Sequence, residues 1–168
     1  MSINEDQAGF LREERGVLRE SVTNARVMIF SCSAYRSMCD ALYDQFLSGA
    51  SVILYRAGEG YAKKLLSAVP KLGLGREETI KTLQHIAYLS GWGNMKLRSL
   101  DQKTLECTVE KCAFVLRRKD ISGTSCFFLS GVLGGAASAL FEKKFAAREL
   151  DCEATGSKCC RFQITVDA

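Results

Sequence analysis

The sequence predicts an α+β fold in which N-terminal helices pack on a small antiparallel sheet, with a buried apolar helix before the last hairpin. Apolar residues recur at helical spacing through much of the first half of the chain, whereas they alternate with polar residues in runs of the second half. A nearly continuous apolar stretch separates two of those alternating runs. Because strands and helices do not alternate regularly, a doubly wound parallel sheet is excluded.

The composition is that of an ordinary globular domain. The chain has 168 residues, of which 47% are hydrophobic and 25% are charged, enough for one domain with a buried core. Its 23 lysines and arginines are interspersed with 19 acidic residues, and the formal net charge is +4. A nucleic-acid surface normally needs a concentrated basic face, so no nucleic-acid partner is expected. Residues 1–20 lack the apolar core of a signal peptide, and a cytoplasmic protein is expected.

The first 25 residues are predicted to form a helical arm, separate from a domain that spans residues 26–168. The segment from Met1 to Asn24 is mostly polar and carries only a thin apolar stripe at helical spacing. Residues 26–30 follow as a short strand candidate.

Three helices are predicted after this strand. Ser31 or Ser33 can cap the first, whose apolar positions recur at i, i+3 and i+4 as far as Phe46. The second, from about residue 50 to 69, has broad apolar faces and should be buried on more than one side. The third, over residues 76–90, begins with two glutamates, where the helix dipole favours negative charge.

The second half of the chain predicts two antiparallel hairpins around one helix. Apolar and polar residues alternate over 94–98 and 104–110, which indicates a hairpin with one solvated face, and residues 113–116 can extend it. A further alternating run over 160–166 belongs to the last hairpin. The helix between them is predicted from Cys126 to Phe145.

This apolar helix is predicted to be buried and not to span a membrane. Its longest apolar stretch ends at Phe141, is interrupted by serines and glycines, and is too short for a comfortable span. Ser122, Thr124 or Ser125 can cap its start. The glycines either let another helix approach closely or leave room for a ligand.

The cysteines indicate metal ligation more than disulfides, because eight of them occur without an export signal. Cys152, Cys159 and Cys160 crowd together near the last hairpin, and Glu149 precedes them. Thiolates and a carboxylate gathered at a turn are typical zinc ligands. Cys126 is the best candidate for a further ligand, because the N-terminus of a helix favours a thiolate.

Strand geometry helps to choose among these side chains. Cys160 shares a strand face with Phe162 and should point inward, whereas Cys159 should point outward. Glu149 and Cys152 would face opposite sides of an ideal strand, so a bulge or turn must lie between them. The remaining cysteines fall inside apolar patterns and are interpreted as small buried side chains: Cys32, Cys39, Cys107 and Cys112.

The run from Glu149 to Phe162 resembles the signature E-x-x-C-x-x-x-G-x-x-x-C-x-F that closes 4-vinyl-reductase domains. The Gly91-Trp92-Gly93 element and the glycine-punctuated segment 50–60 are also similar to that family, and the resemblance covers about residues 26–166. In phenol-sensing transcriptional activators with this domain, zinc is bound by a cysteine at the start of the last helix and by the glutamate and two cysteines of the signature. The resemblance implies the same role here for Cys126, Glu149, Cys152 and Cys160.

The same resemblance implies an apolar pocket for a small molecule and a homodimer. Four protein ligands would close the zinc site, so the ion is interpreted as structural. Any signal is expected to pass to a separate effector protein. The side chains and notch expected to contact the ligand are Tyr55, His85, Trp92, Phe128 and Gly134.

Three functions remain open, and a non-catalytic sensor or carrier of a small hydrophobic molecule is favoured. The first alternative is an enzyme or accessory subunit that reduces a tetrapyrrole vinyl group, as the family name suggests. Reduction needs an electron source, yet the chain has no G-x-G-x-x-G dinucleotide fingerprint, and Cys107 and Cys112 lack an iron–sulfur spacing. The second is a protein-interaction subunit without a small ligand, which a filled interior would favour.

Overall fold

The computed structural model describes residues 9–68, 73–99, 103–121 and 123–167. It contains helices and two antiparallel sheets, which confirms the α+β prediction. The elements in chain order are β1 (Leu11–Glu14), β2 (Val17–Glu20), β3 (Arg26–Val27), α1 (Cys32–Phe46), α2 (Gly49–Ala68), α3 (Arg76–Leu89), β4 (Asn94–Ser99), β5 (Thr104–Glu110), α4 (Phe127–Phe141), β6 (Phe145–Asp151) and β7 (Cys160–Val166). A 3₁₀ turn, Glu153–Thr155, lies between β6 and β7.

The helical interpretation of the N-terminal arm is wrong for residues 9–24, where the chain forms a small sheet instead. β1 pairs with β2, and β2 pairs with β3. The connection between β1 and β2 is Arg15-Gly16, whose φ angles of 51° and 80° are both positive. Such a two-residue turn matches the twist of paired strands, and it outweighs a thin apolar stripe. Residues 1–8 of the predicted arm lie outside the described residues.

The three predicted helices are present with nearly the expected bounds. The Ser31 hydroxyl caps α1, because it accepts a hydrogen bond of 3.1 Å from the backbone N–H of Ala34. At the start of α3, the Glu78 carboxylate accepts a bond of 3.0 Å from the backbone N–H of Gly75. The predicted end of the second helix at Val69 lies outside the described residues.

The second sheet has the strand order β4-β5-β7-β6, and all its pairs are antiparallel. Both predicted hairpins are present, and the β5–β7 pairing joins them. Val109 pairs with Cys160, which places the end of β5 beside the start of β7. The predicted extension over residues 113–116 is wrong, because Lys111 takes a left-handed φ of 56° and turns the chain out of the sheet into the core.

α4 crosses α2 at very short range because glycines face the contact. A Cβ atom on Gly58 would lie 2.1 Å from the carbonyl oxygen of Phe128, and one on Gly131 would lie 1.9 Å from that of Tyr55. α4 ends at Phe141 and not at Phe145 as predicted, since Glu142 is left-handed and β6 has already begun at Phe145. Among the helices of the described segments, none is long and apolar enough to cross a membrane.

Candidate metal centre and apolar cavity

Four side chains from separate parts of the last hairpin and from the start of α4 converge in the core. Cys126 immediately precedes α4, Glu149 lies in β6, Cys152 follows β6, and Cys160 begins β7. One ligand atom from each lies within 4.8 Å of the others, and all four side chains are buried. These residues, called here the four-residue cluster, are the ones that the sequence proposed as ligands.

The sulfur atoms of the four-residue cluster have the spacing of a tetrahedral zinc site. The Sγ of Cys126 lies 3.9 Å from that of Cys152 and 3.7 Å from that of Cys160, and the last two are 3.9 Å apart. A tetrahedron with zinc–sulfur bonds of about 2.3 Å has edges of about 3.8 Å. All eight cysteines lie in the described segments and are free, so no disulfide competes for these sulfurs.

Glu149 supplies an oxygen that needs a partner. Its Oε2 accepts hydrogen bonds of 2.9 Å and 2.8 Å from the backbone N–H groups of Ser125 and Cys126. Its Oε1 is buried and has no hydrogen-bond partner among the described residues. A buried carboxylate oxygen is costly to leave unsatisfied, and a cation would satisfy it. Three thiolates and one carboxylate oxygen make a donor set that fits zinc.

The cap of α4 differs from the prediction for the same reason. The N-cap residue is Cys126, whose side chain makes no capping hydrogen bond to the described start of the helix. The Glu149 carboxylate from β6 occupies the free backbone N–H groups instead of Thr124 or Ser125, while Ser122 lies outside the described residues. The Ser125 hydroxyl accepts a bond of 3.1 Å from the N–H of Leu116 and lies 3.5 Å from the Sγ of Cys152.

The local backbone explains how Glu149 and Cys152 reach the same centre. The register of β6 against β7 shifts between Glu149 and Asp151, which confirms the predicted irregularity. The Sγ of Cys152 then accepts a hydrogen bond of 3.4 Å from the N–H of Ala154. Cys160 points inward as predicted, whereas Cys159 is only half-buried.

The crowded donors perturb one another's proton affinities. Burial raises the pKa of Glu149 to about 7. Hydrogen bonds from the thiols of Cys126 and Cys160 to the Cys112 thiolate lower the pKa of Cys112 to about 5. The same bond to Cys112 holds the proton on Cys126 and raises its pKa. A divalent cation would reverse this preference for protonated donors, because it stabilises thiolates and carboxylates directly.

Cys112 is the residue of this region that the sequence interpretation missed. It was interpreted as one of several small buried side chains, yet its Sγ lies 3.7 Å from the Sγ of Cys126. The position follows from pairing, because Val109 lies opposite Cys160 and Cys112 comes three residues later. Strand pairing between distant segments is the signal that could have identified it.

An apolar cavity of about 80 Å³ lies beyond the metal centre, between α2, α3, α4 and the sheet. One water needs about 10–15 Å³ and several polar partners, so the cavity exceeds that volume but suits an apolar guest better. The side-chain amide of Gln84, at its wall, is already engaged with the carbonyl oxygen of Met95 at 3.2 Å. Representative lining residues are Leu65, Leu83, Trp92, Leu105, Val132 and Ile164.

Of the five residues expected to contact a ligand, Trp92 alone lines this cavity. The Tyr55 hydroxyl accepts a bond of 3.2 Å from the N–H of Ala147 and so anchors α2 to β6. A Cβ atom on Gly134 would lie 2.9 Å from that hydroxyl, so this glycine serves packing. His85 is exposed. The Phe128 ring packs at 6.4 Å from the Trp92 ring, one layer away from the cavity.

Aromatic rings fill the space between the cavity and the metal centre. The Trp92 ring meets Phe114 edge to face with centroids 4.9 Å apart, and Phe114 meets Tyr35 in the same way at 5.4 Å. Burial in this apolar layer raises the pKa of Tyr35, so its hydroxyl stays protonated. These rings, called the aromatic cluster, are Tyr35, Tyr61, Trp92, Phe114 and Phe128.

Several solved structures share this fold. The phenol-responsive sensory domain of the transcription activator PoxR, solved with phenol, has a TM-score of 0.79 and 18% identity, over 96% of this chain and 87% of that chain. A vinyl-4-reductase family protein from Methanocaldococcus jannaschii has a TM-score of 0.60 and 18% identity, over 84% and 85%. A trafficking protein particle complex subunit 3 from Naegleria fowleri, covalently bound to palmitic acid, has a TM-score of 0.64 and 15% identity, over 82% and 93%.

The sequence comparisons are narrower than the structural ones. No curated protein sequence matches the chain. The family model of the vinyl-4-reductase domain matches residues 105–166, which include the strands β5 to β7, α4 and the four-residue cluster. The resemblance to the 4-vinyl-reductase family is thereby confirmed, and residues 105–166 belong to its domain.

Proposed function

We propose that this chain is a non-catalytic binding module for a small hydrophobic molecule, acting as a sensor or carrier, with a structural zinc ion at the four-residue cluster. The observation that carries the proposal is the apolar cavity between α2, α3, α4 and the sheet. Burying apolar surface contributes roughly 25 cal/mol per Å² before the entropic costs of binding are subtracted.

The lining of the cavity favours binding over catalysis. Among the described residues that form its wall there is no carboxylate, histidine, lysine, arginine or cysteine. General acid–base or nucleophilic chemistry needs such a group within hydrogen-bond reach of the substrate. The similar PoxR domain is described as phenol-responsive, and the similar trafficking subunit holds palmitic acid, both of which are molecules with a large apolar part.

The proposed zinc ion would be held by Cys126, Glu149, Cys152 and Cys160. When bound, it would neutralise thiolate and carboxylate charge in the core and supply no open position for chemistry. The four residues join the start of α4 to β6, β7 and the turn between them, so the site acts as a cross-link. All eight cysteines are free, which suits the reducing cytoplasm in which we place the module.

The proposal includes a homodimer that passes its signal to a separate effector protein. An exposed apolar segment directly after β3, composed of Met28, Ile29 and Phe30, supports the homodimer. Apolar side chains grouped at a surface are typical of sites where another protein packs.

A cavity-filling substitution tests the proposed binding site. Ala136 lines the cavity, whereas Ala139 lies on the same helix with its side chain exposed. We expect phenol or a longer alkylphenol to raise the melting temperature of the wild type and of Ala139→Leu, but not of Ala136→Leu. A guest at about 100 times its Kd stabilises the fold by about 2.7 kcal/mol.

The control for this test is the metal content of each variant, which should stay at one zinc per chain by mass spectrometry. An equal guest-induced shift in Ala136→Leu and in the wild type would show that the molecule binds elsewhere. A wild type that responds to no aromatic or aliphatic guest would favour the protein-interaction subunit.

A further inference from the structure

Cys112 is a fifth donor beside the four-residue cluster. Its side chain is 6% exposed, and its Sγ lies 3.7 Å from the Sγ of Cys126. This separation equals the one between Cys126 and Cys160, two of the proposed ligands, and matches a tetrahedral zinc–sulfur edge of about 3.8 Å. The site therefore holds one donor more than a four-coordinate ion can use.

The backbone places Cys112 at this position. Lys111 adopts a φ of 56° at the end of β5 and directs the next residue towards the cluster. The N–H of Cys112 donates to the Glu153 carboxylate at 3.3 Å, beside the turn that carries Cys152. The N–H of Ala113 donates to the carbonyl oxygen of Trp92 at 3.1 Å. Two hydrogen bonds on consecutive residues thus fix the fifth thiol against the centre.

Glu149 is the ligand best placed to be exchanged. Its Oε2 is committed to the N–H groups of Ser125 and Cys126, and only Oε1 is available to an ion. Oε1 can leave an ion while Oε2 continues to cap α4. Each of the three cysteines, in contrast, offers a single sulfur atom, which cannot leave the ion and keep its place in the fold.

We propose that Cys112 is a reserve metal ligand that can replace Glu149, so that the same centre holds its ion through four thiolates. The inference rests on the proposed zinc site. In the exchange the Cys112 thiol releases its proton to solvent and forms a sulfur–metal bond, while the bond to Glu149 Oε1 breaks. No electrons are transferred, and the ion remains divalent. A four-thiolate set favours softer cations than a set with a carboxylate.

Cobalt(II) in place of zinc tests the proposal, because the thiolate-to-cobalt charge-transfer absorbance grows with the number of thiolates bound. Glu149→Gln removes a carboxylate ligand, but its amide oxygen can still accept the two capping bonds. We expect the absorbance per cobalt to rise by about one third in Glu149→Gln, in the ratio of four thiolates to three. In the double variant Cys112→Ser/Glu149→Gln it should return to the wild-type value. Cys159→Ser is the matched control, because it removes a thiol outside the centre.

Zinc affinity, measured by competition with a chelator, gives an independent reading. We expect Cys112→Ser to change the Kd less than about threefold in the wild type and to weaken it at least about tenfold in Glu149→Gln. Equal effects in the two backgrounds, or unchanged absorbance in Glu149→Gln, would overturn the reserve-ligand proposal alone. A wild type without any thiolate–cobalt band would instead overturn the metal site itself. Glu149→Asp offers the same comparison should Glu149→Gln fail to fold.

Discussion

Two cysteines that are adjacent in the chain lie in very different surroundings. Cys160 is fully buried and its Sγ is 3.7 Å from that of Cys126, whereas the side chain of Cys159 is half-buried outside the cluster. Successive side chains of a strand point to opposite faces, so a single residue of displacement separates a proposed metal ligand from a spare thiol.

The residue-scale prediction compares Cys152→Ser with Cys159→Ser. Because the free energy of metal binding contributes to folding, Cys152→Ser should lower the melting temperature by roughly 10 °C and reduce the bound zinc. Cys159→Ser should shift the melting temperature by no more than about 2 °C, since surface changes are usually worth within about 0.5 kcal/mol. Calorimetry with metal analysis checks both, and similar losses at the two positions would contradict the assignment of ligands.

Residue patterns could predict the four-residue cluster because its signals are local. Strand alternation indicates the inward direction of Cys160, and the spacing from Glu149 to Cys152 requires the irregularity that the structure shows. Cys112 could not be recognised in this way. Its approach to Cys126 depends on the left-handed turn at Lys111 and on pairing between β5 and β7, which no short segment encodes.

At the scale of elements, the fold depends on a helix crossing that glycines permit. α2 and α4 meet with backbone atoms in contact, since Gly58 faces the carbonyl oxygen of Phe128 and Gly131 faces that of Tyr55. Sequence inspection left two roles open for the glycines of α4, packing or room for a ligand. The structure assigns Gly131 and Gly134 to packing, and the cavity lies farther along the helix.

The crossing predicts opposite outcomes for two glycines of α2. Gly58→Ala should destabilise the protein by about 1–3 kcal/mol or more, because the new methyl group meets backbone atoms that cannot move aside. Gly60→Ala is the matched control, since no atom of the described residues lies within 4 Å of its Cβ position. There the better helix propensity of alanine should stabilise by about 0.5–1 kcal/mol. Urea denaturation measures both, and equal midpoints would show that the helices are farther apart.

The N-terminal sheet shows where patterns of spacing fail. A few apolar residues on a polar segment suit a helical period, yet the chain forms strands there because Arg15-Gly16 makes a tight turn. The hairpins of the second half were predicted correctly, since their alternation is regular over several residues on each strand. Weak periodicity is therefore overruled by one strong turn, and strong periodicity is not.

At the scale of the whole molecule, apolar side chains remain on the surface near β3. Met28 is 77% exposed and Ile29 is 78% exposed, directly after the small sheet. Exposed apolar residues grouped in this way are typical of contact surfaces. They support the homodimer that we include in the proposed function.

The dimer leads to a prediction about subunit number. Replacing both Met28 and Ile29 with lysine should convert a dimer to a monomer in native mass spectrometry, because charge is costly to bury at an interface. The melting of each subunit's core should change little, since both side chains are exposed. Gln45→Lys adds positive charge at an exposed polar position and should leave the subunit count unchanged. A monomeric wild type would rule out the dimer.

The aromatic cluster divides the interior into two chemically distinct compartments. Sulfur ligands occupy one end, hydrocarbon surrounds a cavity at the other, and Trp92, Phe114 and Tyr35 stand in edge-to-face contact between them. Substitutions in well-separated regions usually have additive effects. A lineage can therefore vary the cavity wall to suit different guests while the metal end maintains the fold, which makes this architecture readily adaptable to new ligands.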